Sequence, residues 1–560
     1  MLNYFNKQYK WLFVFLTAYC VLRILLIDIN YTEWGDTFRM TRAAELLSNG
    51  LWPWDEKRWP FYSILLVPGI WFGDVLRWGR LLSLGASIGI AVLVYKFYIR
   101  FVADFGKHTL LDIFTEKKED AKKYALLACI VLAVSPVYAY WSFRVMADPV
   151  FTLLILLYSL VFINIYRKSE LDYKHEIILA LLLLCITMTR LEGLFMFFGT
   201  MAFFVLKKFY SKIVLYVIPQ LLIYAPFTFY AKFLYDGPVN NDYLKEAQTF
   251  VFNLERFNYF LTYTIFILVF PPLIYFLVIG LKELKKVLLK SEKNVSWAYI
   301  PLALFILQEL LIGFIWTPSL PRIYMPIIPF FVILTVFGFQ AWDHSKNKKS
   351  AFFTIMVLTI AFAVLQYNFR LYFLGASKIL FAFILASSFG FCVLNLMNFK
   401  SQNIKLYFAV IFFVVGFISS SIIVFNQKDI YKSVYQASAL VGDIAFSSPS
   451  KERIAYSDET GTATWYLKNN YTYYLDQNNK IQSLDDQYKL LEENEVSYLL
   501  ITNEFNRGSN FIDPKADPRY ALIGIFSIPI YDLADYVLNY LGLMPGLESD
   551  MFVSKVYKVL

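Results

Sequence analysis

Glu33 and Asp36, in Glu33-Trp34-Gly35-Asp36, are two carboxylates set just past the first apolar stretch of a chain that otherwise keeps charge out of its apolar segments. A carboxylate so placed can take a proton from an incoming hydroxyl as a general base. Arg39 and Arg42 follow Asp36 by three and six residues, so the same acid also reads as an interfacial cap or a surface ion pair. In Arg144-Val145-Met146-Ala147-Asp148-Pro149, Asp148 suits an N-cap before a helix-initiating proline and equally a contact to substrate or metal. Thr189-Arg190-Leu191-Glu192-Gly193 sets a cation and an anion between two apolar stretches, which is costly unless they pair or face water. A mutual ion pair and a phosphate-binding arginine both meet that condition. Pro321-Arg322-Ile323-Tyr324 offers another arginine with a tyrosine two residues on. A guanidinium can donate two hydrogen bonds to adjacent phosphate oxygens, or snorkel to the interface. Glu309 stands inside an apolar stretch, facing either the same cavity or a helix partner.

The elements that must position these groups are membrane helices. With 58% hydrophobic residues over 560 positions and a mean hydropathy of +0.51, the chain is too apolar for a soluble protein, and long apolar runs recur. Spans are expected near 11–27, 79–99, 123–141, 147–165, 177–190, 193–206, 213–233, 258–281, 296–315, 324–342, 351–368, 379–398 and 406–425, about thirteen in all. Those at 177–190 and 193–206 are short, and read either as half-spans or as one long bent helix. Lys7 and Lys10 precede the first run and no small-residue cleavage site follows, as in an uncleaved first span.

The charge pattern orients the spans. A cytoplasmic N-terminus puts the connectors holding Lys117/Lys118/Lys122/Lys123, Arg167/Lys168, Lys207/Lys208/Lys212, Lys282/Lys285/Lys286/Lys290 and Lys346/Lys348/Lys349 on the inner face. The Glu33/Asp36 loop, the Arg144–Asp148, Arg190–Glu192 and Pro318–Tyr324 turns and the tail then share the outer face. Six of the 12 tryptophans, Trp34, Trp52, Trp54, Trp59, Trp71 and Trp78, fall in the first outer loop, as suits a segment lying along the bilayer surface. His108, His175 and His344 fall inside, which disfavours histidine catalysis or a histidine-held metal on the outer face. The net charge of +9 is spread over connectors with no basic domain face, so no nucleic-acid partner is expected. Cys20, Cys129, Cys185 and Cys392 lie in apolar segments and suggest neither a disulfide framework nor a metal site.

Beyond residue 426 the apolar runs shorten and a soluble α/β domain is expected, with strands at 453–456, 471–475 and 496–501, helices beginning at Gly461 and spanning 484–493, and a partly parallel sheet. No internal repeat or nucleotide-binding glycine motif is present.

Together, the acidic first loop, Trp59-Pro60-Phe61-Tyr62, Met146-Ala147-Asp148, Thr189-Arg190 with Gly193, and Arg322-x-Tyr324-x-Pro326 with Pro329 resemble the GT-C glycosyltransferases, in the branch of protein O-mannosyltransferases and ArnT-like aminoarabinose transferases. The resemblance spans roughly residues 10–340 and rests on the order and sidedness of motifs that are individually weak. It implies a mainly α fold: a GT-C-like transmembrane catalytic domain over 1–426, with its first extracytoplasmic loop at 28–78 carrying interfacial helices, and an extracytoplasmic α/β domain over 427–560. It implies an integral membrane enzyme, in a prokaryote of the plasma membrane. The enzyme would move one hexose or pentose, mannose being the branch's commonest sugar, from a polyprenyl-phosphate donor to a protein, lipid or glycan hydroxyl with inversion. On that reading Asp36 is the base with Glu33 beside it, and Arg190 and Arg322 hold the phosphate, with Arg39 and Arg42 as alternatives. Tyr324 contacts substrate, and Asp148 and Glu192 orient the acceptor or, with Asp36, hold a magnesium or manganese ion. The family's Asp-Glu pair is replaced here by Asp36-Thr37, with the second acid upstream at Glu33, and the Trp-Trp-Asp signature of oligosaccharyltransferases is absent.

A polytopic transporter or lipid flippase is the competing reading. It predicts ionisable groups near the midplane of several spans and paired repeats, whereas here charge gathers at one face. A non-enzymatic scaffold displaying the tail leaves the outer-face charges unexplained.

Overall fold

The structure is a computed structural model and describes residues 2–33, 35–53, 58–105, 118–167, 173–226, 271–290, 296–315, 321–343, 353–361, 386–390, scattered positions over 414–429, 431–447, 452–456, 462–467, 472–474, 481–503, 511–529 and 551–560. Two compact units divide the chain: Met1–Ile27 with Leu47–Val424, and Asp28–Leu46 with Phe425–Leu560.

Helices build the first unit: α1 (Leu2–Leu25), then, after α2 (Gly35–Ser48) of the second unit, α3 (Phe61–Trp71), α4 (Val75–Phe105), α5 (Lys118–Ala133), α6 (Pro136–Trp141), α7 (Ala147–Arg167), α8 (Tyr173–Thr187), α9 (Gly193–Leu206), α10 (Tyr210–Pro219), α11 (Pro271–Lys290), α12 (Ile300–Ile315) and α13 (Ile328–Asp343). Helix α4 packs against α3, α5 and α7, while α13 packs against α11 and α5, and α12 against α9. Among the described residues, Val75–Phe105 and Ala147–Tyr166 are long and apolar enough to cross a membrane. Most of the expected spans at 379–398 and 406–425 and parts of those at 213–233, 258–281 and 351–368 lie outside the described residues, as do His108, His344 and Cys392.

Two sequence expectations change in detail. The span expected at 123–141 is broken at Ser135, with Pro136 opening α6, because proline has no N–H to continue the ladder and fits the first turn of a new helix. The nearby Val134 carbonyl accepts from the Ser420 hydroxyl at 2.7 Å. The stretches 177–190 and 193–206 form two separate helices, α8 and α9, joined by a turn. Gly193 makes that turn possible, since a Cβ there would come within 2.6 Å of the Ile186 carbonyl oxygen.

In the second unit a five-stranded sheet has the order β2-β1-β3-β5-β4, formed by β1 (Arg453–Tyr456), β2 (Thr472–Tyr474), β3 (Val496–Thr502), β4 (Tyr520–Pro529) and β5 (Met551–Val559). Strands β2 and β3 flank β1 in parallel, and β5 runs antiparallel to β3 and β4. The central β3 is almost continuously buried, as a strand covered on both faces must be. Helix α14 (Lys432–Ser447) lies on β3, β4 and β5. Ser433 is joined to Ser554 at 2.8 Å, and Ser554 donates to Thr502 at 3.1 Å. Helix α15 (Thr462–Leu467) packs on α14, and α16 (Leu484–Glu493) is capped by the Ser483 hydroxyl, which accepts from the Asp486 amide. The expected strands at 453–456, 471–475 and 496–501 and the helices beginning at Gly461 and spanning 484–493 are therefore present. Strands β4 and β5 and helix α14 were not foreseen.

Candidate active site

The turn between α8 and α9 is tied at both ends. Met188 N–H donates to the Leu184 carbonyl, and the Met188 carbonyl accepts from Phe61 N–H at 3.1 Å, fixing the start of α3 to this turn. The Thr189 hydroxyl donates to the Cys185 carbonyl at 2.6 Å. These ties present Arg190, whose Nη2 and Nε donate to the two oxygens of Glu192 at 2.5 and 3.2 Å, and whose Nη1 donates to Asp148. The guanidinium also lies over the Phe151 ring, 5.6 Å from its centroid.

Asp148 belongs to the first turn of α7, which begins at Ala147. It is therefore a helical residue and not the N-cap, and its negative charge complements the helix dipole as well as Arg190. Glu192 is drawn two ways. Burial opposes its ionisation, but Arg190, assisted by Arg322, outweighs this and holds its carboxyl below the usual range. Glu309 on α12 is buried, neither of its oxygens has a hydrogen-bond partner among the described residues, and it lies within electrostatic reach of Arg190, Asp148 and Glu192. Arg322 sits half-buried in the 3-10 turn Pro321–Tyr324, over the Trp141 ring at 5.6 Å. Tyr324 is fully buried.

This unit thus gathers three carboxyl groups and two guanidinium groups from α7, the α8–α9 turn, α12 and the 3-10 turn. Such a cluster can orient hydroxyls through its acids and neutralise a phosphate through an arginine. Of the two readings of Arg190, the ion pair is the one realised, and Asp148 joins it. Asp148 and Glu192 thereby have their carboxylates on a cation. Among the described residues no three His, Cys, Asp or Glu side chains gather as a metal-holding group.

Glu33, Asp36, Arg39 and Arg42 belong to the second unit. Asp36 is half-buried in the first turn of α2, Glu33 is fully buried just before it, and Arg39 and Arg42 are exposed. Sequence reasoning passed over Arg23, although a cation inside an apolar run was a visible signal. Arg23 is buried, stacks on Phe143 at 3.5 Å and donates to the hydroxyl of Ser142 at 2.6 Å and to its carbonyl, so α1 secures the chain leading into Arg144–Asp148.

By sequence, no family model and no curated protein matches the chain. By structure, the chain is similar to ArnT from Cupriavidus metallidurans bound to undecaprenyl phosphate, at 11% identity and a TM-score of 0.60 over 98% of each chain. The apo form of that protein gives 12% identity and a TM-score of 0.58 over the same shares. The archaeal oligosaccharyltransferase AglB from Archaeoglobus fulgidus, in complex with an inhibitory peptide and a dolichol-phosphate, gives 12% and 0.50, over 89% of this chain and 70% of that one. The fold of these proteins is the one this chain adopts.

Proposed function

We propose that the chain is a membrane glycosyltransferase that moves a single sugar from a polyprenyl-phosphate donor to an extracytoplasmic hydroxyl of a protein, lipid or glycan. The observation that carries this reading is the correspondence, over 98% of both chains, with a protein whose structure holds undecaprenyl phosphate. The buried acid–arginine cluster supports it with groups suited to both halves of the reaction.

Asp36 is the proposed base, with Glu33 beside it. It takes the proton of the acceptor hydroxyl, the acceptor oxygen attacks the anomeric carbon, and the carbon–oxygen bond to phosphate breaks with its electron pair leaving on the phosphate. Direct displacement inverts the anomeric centre. Arg322 is the proposed phosphate partner, meeting the charge that develops on the leaving oxygen. Arg190, engaged by Glu192 and Asp148, instead holds the two acids in place to orient sugar or acceptor hydroxyls, and Tyr324 lines the same turn as Arg322.

The test incubates purified protein with a panel of undecaprenyl-phosphate-linked sugars and follows release of undecaprenyl phosphate. Turnover with at least one donor, lost in Asp36→Asn, is expected. Equal turnover by Asp36→Asn overturns the base, and no turnover with any donor overturns the transferase reading.

A further inference from the structure

The segment that carries Glu33 and Asp36 is fastened to the C-terminal α/β domain on both sides of its acids. Tyr31 N–H donates to the Lys428 carbonyl at 3.0 Å, and the Tyr31 ring meets Tyr435 edge-on at 5.3 Å with the Lys432 ammonium 4.7 Å from its centroid. The Thr32 hydroxyl is hydrogen-bonded to the Tyr466 hydroxyl at 2.7 Å. On the far side of Asp36, Phe38 packs edge-on against the same Tyr466 ring at 5.3 Å and lies 6.0 Å from Trp465. Thr32, Thr37 and Phe38 are buried, so the Thr32 and Phe38 ends of these contacts are shielded from water.

Tyr466 is itself seated. Its ring stands edge-on to Tyr435 of α14 at 4.5 Å, and α14 is joined to the sheet through Ser433 and Ser554. An unbroken path of packed groups therefore runs from the sheet, through α14 and Tyr466, to the residue immediately before Glu33 and the second residue after Asp36.

We propose that Tyr466 is a positioning residue for Asp36, which makes the α/β domain a working part of the transferase and not an appended module. This rests on the reading of Asp36 as base. Tyr466 touches neither reactant; it sets where the carboxylate stands. A misplacement of about 1 Å at a reacting group costs about a hundredfold in rate, so the effect falls on kcat and leaves donor binding unchanged.

The experiment uses the full-length protein and the undecaprenyl-phosphate sugar that the wild type turns over fastest. Tyr466→Phe, which keeps the ring and loses the hydroxyl, and Thr32→Val, which loses the other partner, are each expected to lower kcat about tenfold with KM for the donor unchanged. The double variant should lose no more than either single one, as for two groups acting through one bond. Tyr488→Phe, which removes a hydroxyl donating to the Leu560 carbonyl in the same domain, is expected to keep the wild-type kcat. Hydrogen exchange of amides 31–38 is followed in every variant and should rise in Tyr466→Phe and Thr32→Val only. If Asp36→Asn is inactive while Tyr466→Phe and Thr32→Val keep wild-type kcat, or if their losses multiply to about a hundredfold, the positioning role is overturned and the base stands. Turnover by Asp36→Asn removes the base; unchanged exchange at 31–38 then overturns the hold of Tyr466 on the segment as well.

Discussion

Arg190 grips Glu192 with two parallel hydrogen bonds, Nη2 to Oε1 at 2.5 Å and Nε to Oε2 at 3.2 Å, while its remaining Nη1 serves Asp148. The side chains are little exposed, 17% for Arg190, 16% for Glu192 and 3% for Asp148. Removing the cation therefore leaves two carboxylates in a poorly hydrated site. Arg190→Gln should destabilise the protein by about 3 kcal/mol, the usual cost of breaking a buried pair, read as thermal unfolding in detergent. Adding Glu192→Gln to that variant should restore part of the loss, because one stranded charge is then gone. An Arg190→Gln variant as stable as the wild type would show that the pair is weakly coupled.

The path from sequence to this pair was partly readable. Arg190 and Glu192 are two residues apart, and charge between apolar runs is cheap only when paired, so their proximity followed from local chemistry. Asp148 is forty-two positions from Arg190, and only the alternation of spans put both at the same end. The α/β domain gave up β1, α16 and β3 because each has a local pattern: β-branched and aromatic residues, or an amphipathic repeat after Ser483. Insertion of β5 between β3 and β4 is written in pairings such as Leu499 with Tyr557, which no local periodicity announces. The union of Asp28–Leu46 with the C-terminal unit is of the same kind, since Thr32 and Tyr466 are 434 positions apart.

Helices α11 and α13 approach through Gly280 and Gly338, where a Cβ would collide with the Leu334 and Phe276 carbonyl oxygens respectively. Backbone atoms cannot step aside as a side chain can. Gly338→Leu should therefore force the helices apart and cost at least about 1–3 kcal/mol, as overpacking does. Gly390→Ala, at a glycine with no neighbour in reach among the described residues, should change stability by less than about 0.5 kcal/mol. Equal unfolding temperatures for the two variants would refute the close approach.

Asp513 ties its loop to β5. Partial burial raises its pKa, but hydrogen bonds from the Lys555 ammonium at 2.5 Å and the Tyr557 hydroxyl at 2.6 Å outweigh that and hold it below the usual value of 3.8. A carboxyl whose folded pKa is depressed contributes stability that is full above its unfolded value and lost as pH falls through the folded one. The stability gap between wild type and Asp513→Asn should thus be constant from neutral pH to about pH 5 and shrink below pH 4. Chemical denaturation followed by aromatic fluorescence at stepped pH reads it. A gap that widens on acidification would reverse the sign and exclude the assignment.

Arg322, the proposed phosphate partner, makes a kinetic prediction. Its guanidinium lies over the Trp141 ring at 5.6 Å, a face that stabilises a cation. Trp141 is almost wholly buried, so the ring helps hold the guanidinium in place, and a guanidinium hydrogen-bonds through its edge. If that edge meets the departing phosphate, the contact strengthens as charge develops and its loss falls on kcat. Arg322→Gln is expected to lower kcat about 10² to 10³-fold, the usual effect of removing one donor to a developing oxyanion. Arg322→Lys should recover only part of this, since a point charge lacks the planar fork. Binding of the undecaprenyl-phosphate-linked sugar donor, measured on the same variants, should weaken far less than the rate, because the ground-state diester carries less charge at the leaving oxygen than the transition state does. Equal losses in binding and rate would instead assign Arg322 to uniform donor binding, and an unchanged rate would remove it from the reaction.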